Sequence, residues 1–535
     1  MKKARCLRII RVWLVVLGGL CPYLMIHASD LDTIGVTVLE TVTTNLNGTG
    51  VRVGQPEAFD SGTTNWEVNP GAGVVEQPTS LFTYTSGLGT ANTYPNSINT
   101  ESGHADSVAG NFYGIPGGVA TNVAHVDNYD ANYFIQVAQN QITLNYSASI
   151  HSDSANDSVV NQSFIFGAVP LAIQQVVDSA YDNYAAQHNT LFVSGAGNNG
   201  QVSPPATCYN GIGVGVSDGG SSFGPTPDNG RAKPDIIAPG GAASFSTPYV
   251  AGAAAILMQA GLRGDGGSTT NLAHDIRTVK ALLLNGAVKP PGWANNPPSP
   301  LDTNYGAGIL DVFNSYEQLT GGKQGYIVST TVSTNSPHPP TGAGGTIGAL
   351  SGWDFSTNTS STTTDGINHY YFDVTNGLNQ AAFTATATLV WNRQANQTNI
   401  NNLDLFLYDA GSSNLVAAST SMVDNVEHLW LPQLPQGRYD LQVLKHGGPN
   451  AVSNNETYAL AWEFFCMTLN VTQSGTNLVL TWPVYPDGFV VETTTSLAPP
   501  IVWSALNAIP TVTNNQNQVT LNATNASQFF QLQRP

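Results

Sequence analysis

Charge is what this sequence has least of. Only 10% of its 535 residues are charged, against about a quarter in an ordinary soluble protein. Of its 17 basic residues, Lys2, Lys3, Arg5, Arg8 and Arg11 crowd the first positions, so beyond them the chain is strongly acidic, and the formal net charge is −18. Such a chain repels nucleic-acid phosphates and anionic lipid headgroups, which excludes both as partners. Cysteine is also scarce. Cys6 and Cys21 lie near the N-terminus, and Cys208 and Cys466 are far apart. This excludes a disulfide framework and a Cys/His metal motif, leaving two buried thiols as the expectation. Long apolar runs are missing except at the start. There Lys2 to Arg11 is basic, Val12 to Ile26 is apolar, and Ala28 and Ser29 are small. That order reads as a signal peptide over residues 1–29, too short for a transmembrane span, with an uncleaved anchor as the alternative. The expectation is a protein that is secreted, periplasmic or on the cell surface, with no membrane span after cleavage.

What is abundant is Asn, Thr, Ser and Gly, arranged in two patterns. Over residues 30–322 strands and helices alternate. Asp32 to Val42 reads as a helix and Gly50 to Val53 as the start of a strand. Ser107 to Phe112 opens a helix, Val159 to Phe164 is a strand, and Pro170 to Gln187 is a helix. Thr190 to Ser194 and Ile212 to Val216 are strands, and Arg277 to Ala287 is a helix. Such alternation, with glycines after the strands, predicts a parallel sheet flanked by helices, with ligands bound beyond the C-terminal strand ends. Ser333 to Gly348 reads as a linker. Residues 323–466 then carry short runs of period two, such as His369 to Val374, Ala385 to Trp391 and Tyr458 to Glu463. These predict an antiparallel β-sandwich. Residues 467–535, with runs such as Leu478 to Trp482 and Gly488 to Glu492, form a small C-terminal β-module.

Three motifs in the first region carry chemistry. Ser244 stands just ahead of a small-residue helix. Thr247 is a candidate N-cap and Pro248 suits the first helical position. A serine at the positive end of a buried helix is placed for attack on a carbonyl, although serine before a helix is also ordinary capping chemistry. His104, leading into Val108-Ala-Gly110, is the candidate general base. Asn198 follows a strand that ends in glycines, where its amide is placed to donate to a developing oxyanion; the plainer reading is a turn.

Together these pieces resemble the subtilisin-like serine proteases, the subtilases of peptidase family S8. The likeness rests on Val-Ala-Gly after His104, Ala196-Gly-Asn198, Ser221 to Pro225, Gly230 to Gly240, and Ser-x-x-x-Pro-x-Val-Ala-Gly from Ser244 to Gly252. It implies a subtilisin-like α/β fold with Ser244 as nucleophile, His104 as base and Asn198 as oxyanion donor. It also implies a substrate cleft lined by Ser163, Phe164, Gly167, Ser194, Gly195, Ala196 and Gly197. Protein or peptide is then the substrate, and no cofactor is required. The sequence departs from the family in two places. Glu57 stands where the acid is an aspartate, with Asp60 as the other candidate and a solvated surface glutamate as the plainer reading. The approach from Gly240 to Ser244 is short, with Ala242-Ala243 in place of Gly-Thr. Through Leu403 to Asp409 and Leu434 to Tyr439, the β-region resembles the jelly-roll-like domains that follow many bacterial secreted proteases. That likeness makes Asp404, Asp409 and Asp424 candidate ligands for a structural calcium, or else residues of a solvated strand face.

The expectation is a secreted serine endopeptidase. Two alternatives stand beside it. One is a pseudoprotease that keeps the fold and displays its β-modules; the other is a surface-binding protein using Trp391, Trp430 and Trp482.

Overall fold

The structure, a computed structural model, describes residues 29–533 apart from 96–100, 141–144, 152–156, 328–344, 376–382, 467–468, 484–488, 499, 514–515 and 523–527. Residues 1–28, with Cys6 and Cys21 and most of the segment read as a signal peptide, lie outside the described residues, as do most of the stretch read as a linker and Gly488.

An eight-stranded sheet organises the first region. In chain order its strands, with a separate hairpin, are β1 (Arg52–Glu57), β2 (Phe82–Thr85), β3 (Ala91–Thr93), β4 (His125–Asp130), the hairpin β5 (Ile135–Gln139) and β6 (Tyr146–Ile150), β7 (Val159–Gln162), β8 (Leu191–Gly195), β9 (Ile212–Val216) and β10 (Ile236–Ala238). The sheet order is β10-β9-β8-β7-β1-β4-β2-β3, parallel throughout except for β3. β8 and β9 are buried along their whole length, as expected of parallel strands covered on both faces. The flanking helices include Gly103–Phe112, Leu171–His188, Ala243–Arg263 and Ile276–Gly286.

Ala243–Arg263 is the central helix, buried from Ser246 to Gly261. Its small residues permit close packing: a Cβ added at Gly252 would stand 2.5 Å from Val119 Cβ. This helix begins earlier than the sequence reading placed it. Its N-cap is Ala242, without a side-chain cap, so Thr247 and Pro248 lie inside it. Thr247 Oγ1 donates to the Ala243 carbonyl at 2.6 Å rather than capping. Pro248 lacks the N–H that would bond the Ser244 carbonyl four residues back. That carbonyl accepts instead from Ser163 Oγ at 2.8 Å, which is why proline is tolerated there.

Two other boundaries move for local reasons. The helix read as opening at Ser107 starts at Gly103, because Ser102 Oγ accepts from Ala105 N at 3.1 Å. β4, which the sequence reading did not place, pairs with β1 from Arg52–His125 to Glu57–Asp130. Its run His-Val-Asp-Asn-Tyr-Asp looks too polar for a central strand. Its polar groups are partnered, however. Asn128 Oδ1 accepts from Val68 N and its Nδ2 donates to the Gln55 carbonyl, while Arg52 grips Asp127 with Nε and Nη2 at 2.6 and 2.7 Å.

The second region is the expected sandwich. Its strands are β11 (Ser351–Thr359), β12 (Gly366–Val374), β13 (Phe383–Trp391), β14 (Leu403–Asp409), β15 (Leu415–Ser419), β16 (Val426–Leu434), β17 (Gly437–Lys445) and β18 (Asn455–Phe465). They form two antiparallel sheets, β11-β18-β13-β16 and β12-β17-β14-β15, around Phe372, Trp391, Leu405, Leu441 and Trp462. The last region carries a four-stranded and a three-stranded sheet over Leu480, Trp482 and Phe530. Trp391 and Trp482 are therefore core residues, and Trp430 packs against the last core. The sandwich rests on the helix Ile276–Gly286. Thr386 and Thr388 both donate to Asn285 Oδ1, at 2.9 and 3.0 Å. Arg393 pairs with Asp182 at 2.6 Å, and Asp424 Oδ1 accepts from Ala232 N at 2.8 Å.

Candidate active site

The C-terminal edge of the parallel sheet gathers the chemically competent side chains. Glu57 is the last residue of β1 and is fully buried. His104 lies in the first turn of its helix, and its Nδ1 stands 3.1 Å from Glu57 Oε2. A carboxylate facing Nδ1 selects the tautomer with the proton on that nitrogen, leaving Nε2 free to accept. The hydrogen bond to Glu57 raises the imidazole's pKa above its ordinary value, with burial opposing. Asp60, the other candidate acid, contributes only a weaker field at His104.

Glu57 is itself held. Its Oε1 accepts from Gln55 Nε2 at 2.9 Å, and the same amide group donates to the Ala105 carbonyl at 3.1 Å. Tyr113 Oη donates in turn to Gln55 Oε1 at 2.5 Å. This buried chain fixes both the acid and the helix that carries the imidazole. The extra methylene of glutamate is thus backed by a dedicated support.

Ser244 is in the first turn of the central helix and partly exposed. Its Oγ donates to the Ser163 carbonyl at 3.3 Å, while Ser163 Oγ donates to the Ser244 carbonyl. Ser244 Oγ thus turns toward the segment after β7 rather than toward His104. The two helices are nevertheless adjoined. The His104 and Phe245 rings lie 5.7 Å apart, and Asn111 Nδ2 donates to the Phe245 carbonyl at 3.0 Å. On the other flank Asn198 Oδ1 accepts from Ala243 N at 2.7 Å. That bond spends the oxygen of the amide and leaves its NH2 as the free donor. Gly195 backs directly on the helix: a Cβ there would stand 3.1 Å from Thr247 Oγ1.

The short approach to Ser244 is braced. Gly240 and Gly241 have φ of 133° and 72°, values that suit glycine. Asp218 Oδ1 accepts from both their N–H groups, at 3.0 and 2.9 Å. Gly219 lies against Gly241, where an added Cβ would sit 2.3 Å from its carbonyl oxygen.

The structure therefore brings together Glu57, His104, Ser244, Asn198 and the segments Ser163–Gly167 and Ser194–Gly197. The sequence reading missed Gln55, Tyr113 and Asp218. Gln55 was within reach of pattern reasoning, since residues two apart on a strand share a face. The other two carry no local signal. The three candidate calcium ligands are placed apart. Asp404 Oδ2 bonds His446 Nε2, Asp409 Oδ1 caps the turn at Gly411 and Ser412, and Asp424 holds Ala232 N and Ser421 Oγ. Among the described residues no group of three or more His, Cys, Asp or Glu side chains is placed to hold a metal ion. Burial pushes the Cys208 thiol up to about 12, as expected of an inert core cysteine. No helix of the described residues is long and apolar enough to cross a membrane.

The sequence profile of the Subtilase family, Peptidase S8, matches residues 83–308. The match takes in His104, Asn198 and Ser244 and begins after Glu57. A search of curated proteins found no significant match. Solved structures similar to the chain include a serine-to-alanine mutant of the protease domain of PatA, at 21% identity and TM-score 0.35, covering 52% of this chain and 98% of that one. The prenylagaramide maturation protease PagA is similar at 18% identity and TM-score 0.34, covering 54% and 99%. Proteases from Pseudoalteromonas arctica are similar at 17% identity and TM-score 0.33, covering 51% and 91%. The chain carries a subtilase-family peptidase domain, followed by antiparallel β-regions.

Proposed function

We propose that the protein is a secreted serine endopeptidase, acting in a periplasm, on a cell surface or outside the cell. In this reading Ser244 is the nucleophile, His104 the base, Glu57 the orienting acid and Asn198 the oxyanion donor. The observation that carries it is the Glu57–His104 pair at 3.1 Å, braced by Gln55 and set beside the first turn that bears Ser244.

Ser244 Oγ first leaves the Ser163 carbonyl by rotating about its Cα–Cβ bond. Its proton passes to His104 Nε2 as Oγ bonds the substrate carbonyl carbon. Glu57 holds the ring and stabilises the imidazolium that forms. The oxyanion is met by Asn198 Nδ2 and by the Ser244 N–H, which lies in the first turn where backbone donors have no intrahelical acceptor. His104 then protonates the departing amine as the C–N bond breaks. Water, deprotonated by the same imidazole, hydrolyses the acyl-enzyme and returns the proton to Ser244. The chemistry asks for no cofactor.

One observation favours a second reading, a subtilase-like pseudoprotease: Ser244 Oγ donates to Ser163 and not to His104. A fluorophosphonate probe on the purified protein separates the two. The expected result is covalent labelling that Ser244→Ala abolishes. Folded wild type that resists labelling sinks the enzyme reading and leaves the pseudoprotease.

A further inference from the structure

Peptide bound at Ser244 has its two halves on different sides. His104 delivers a proton to the leaving amine, so the leaving half lies toward His104 and the acyl half lies away from it. The sheet sets the lateral order of these groups. Glu57 ends β1, Ser163 follows β7, and Ser194–Asn198 continues from β8, in the order β1-β7-β8. The acyl half therefore rests over the loops after β7 and β8. The side chain next to the attacked carbonyl enters the gap between them.

Ile165 occupies that gap. Its neighbours Phe164 and Phe166 pack on the main core, while Ile165 is 44% exposed. Its Cδ1 reaches across to the β8 loop, where it would stand 3.6 Å from a Cβ added at Gly197. Behind Gly197 the space is closed as well, because the same added Cβ would lie 2.5 Å from Ser222 Oγ. Nor is Ile165 on a loose flap. On one side Ser163 is tied to Ser244 by two hydrogen bonds; on the other, Phe166 N donates to the Pro204 carbonyl at 2.8 Å.

We propose that Ile165 is a specificity-determining residue that limits the side chain on the acyl side of the cleaved bond to glycine, alanine or serine. This rests on the proposed function, since it needs Ser244 to attack with His104 as base. A branched or aromatic side chain there meets the isoleucine tip before its carbonyl reaches the oxyanion donors. Misplacement of about 1 Å is enough to cost about a hundredfold in rate.

The test uses internally quenched peptides that differ only in the residue before the cleaved bond: alanine, leucine or phenylalanine. Wild type is expected to cleave the alanine peptide with kcat/KM at least about tenfold above the phenylalanine peptide, a ratio within the reach of a shaped apolar pocket. Ile165→Ala is expected to raise the phenylalanine value at least about tenfold while leaving alanine within about threefold, with Ile165→Val between. Wild type that prefers phenylalanine or leucine overturns the assignment, as does an Ile165→Ala protein with an unchanged ratio. If Ile165→Ala fails to fold, the wild-type panel and Ile165→Val decide. Fluorophosphonate titration is run first on the same preparation. A protein that does not label defeats the proposed function and this inference with it; one that labels and prefers bulky residues defeats this inference alone.

Discussion

Two of the carboxylate–imidazole pairs in this molecule invite comparison, one taken from each of its larger regions. In the peptidase region Glu57 and His104 stand 3.1 Å apart. In the sandwich Asp440 Oδ2 and His369 Nδ1, on the neighbouring strands β17 and β12, stand 2.7 Å apart. Distance alone would make the second pair the better dyad. Its setting says otherwise. The side chains of Asp440 and His369 are 0% and 5% exposed, and the imidazole stacks on the Tyr371 ring at 5.9 Å. In the first pair the acid is 1% exposed and the imidazole 32%. A sealed acid with an open base is what the proposed catalysis needs: the acid is kept from water while the imidazole can be reached. A pair sealed at both ends is structural.

The largest effect that tests this contrast is expected from Glu57→Gln. An amide in place of the carboxylate no longer stabilises the imidazolium and selects the tautomer poorly, so kcat should fall by about 10⁴. The pH profile adds a sharper reading. Glu57 raises the His104 pKa, and the base must be neutral to accept a proton. In the wild type, kcat/KM should therefore fall as the pH drops through a value above the ordinary histidine pKa of about 6.5. Removing the carboxylate should move that limb to lower pH. A profile and rate left intact by Glu57→Gln would hand the orienting role to another acid, with Asp60 the first to test.

Asp218→Ala should have the next largest effect. The peptidase region spends this exposed carboxylate on two glycine N–H groups just ahead of Ser244. Without it the approach loosens, and kcat and the fluorophosphonate labelling rate should fall by about tenfold to a hundredfold, with KM little changed. Asp218→Asn keeps an acceptor oxygen and should restore most of the rate. Equal losses in both variants would show that charge, not the bracing geometry, is what matters there.

The same contrast between regions explains what the sequence made legible. The sandwich strands announce themselves by alternation, since each has one face in the core. His369 to Val374 and Tyr458 to Glu463 fall inside longer observed strands. The parallel strands β8 and β9 are legible as short apolar runs. β4 is not, because its polar residues are satisfied by partners such as Arg52, 75 residues away in sequence, and by the backbone of β1. At the site, Ser244, His104 and Asn198 are legible because close packing of small residues leaves motifs around them. Glu57 is legible only by register with a strand. Gln55 is legible only as the residue that shares a strand face with Glu57, while Tyr113 and Asp218 act through contacts across 58 and 22 residues and leave no motif. The helix start at Ala243 was hidden for a related reason. Pro248 looks like a first-turn residue until Ser163, from another strand's end, is seen to take the carbonyl that it abandons.

Asp440→Ala separates stability from rate and so should have the smallest effect on catalysis. Removing one partner of a buried hydrogen bond leaves the other unsatisfied, a cost of about 1–3 kcal/mol. Gln442 Nε2, which donates to the same Asp440 oxygen at 2.8 Å, loses that acceptor as well. Thermal or urea unfolding should register that cost. At a temperature where the variant stays folded, kcat and kcat/KM should match the wild type, because nothing in the pair reaches the cleft. The sandwich does grip the peptidase region, through Asn285 with Thr386 and Thr388 and through Arg393 with Asp182. A folded Asp440→Ala protein with a reduced kcat would therefore mean that strain in the sandwich travels through those contacts to the helix Ile276–Gly286. The distinction between a sealed structural pair and an open catalytic one would then need redrawing, with the sandwich counted as part of what positions the site.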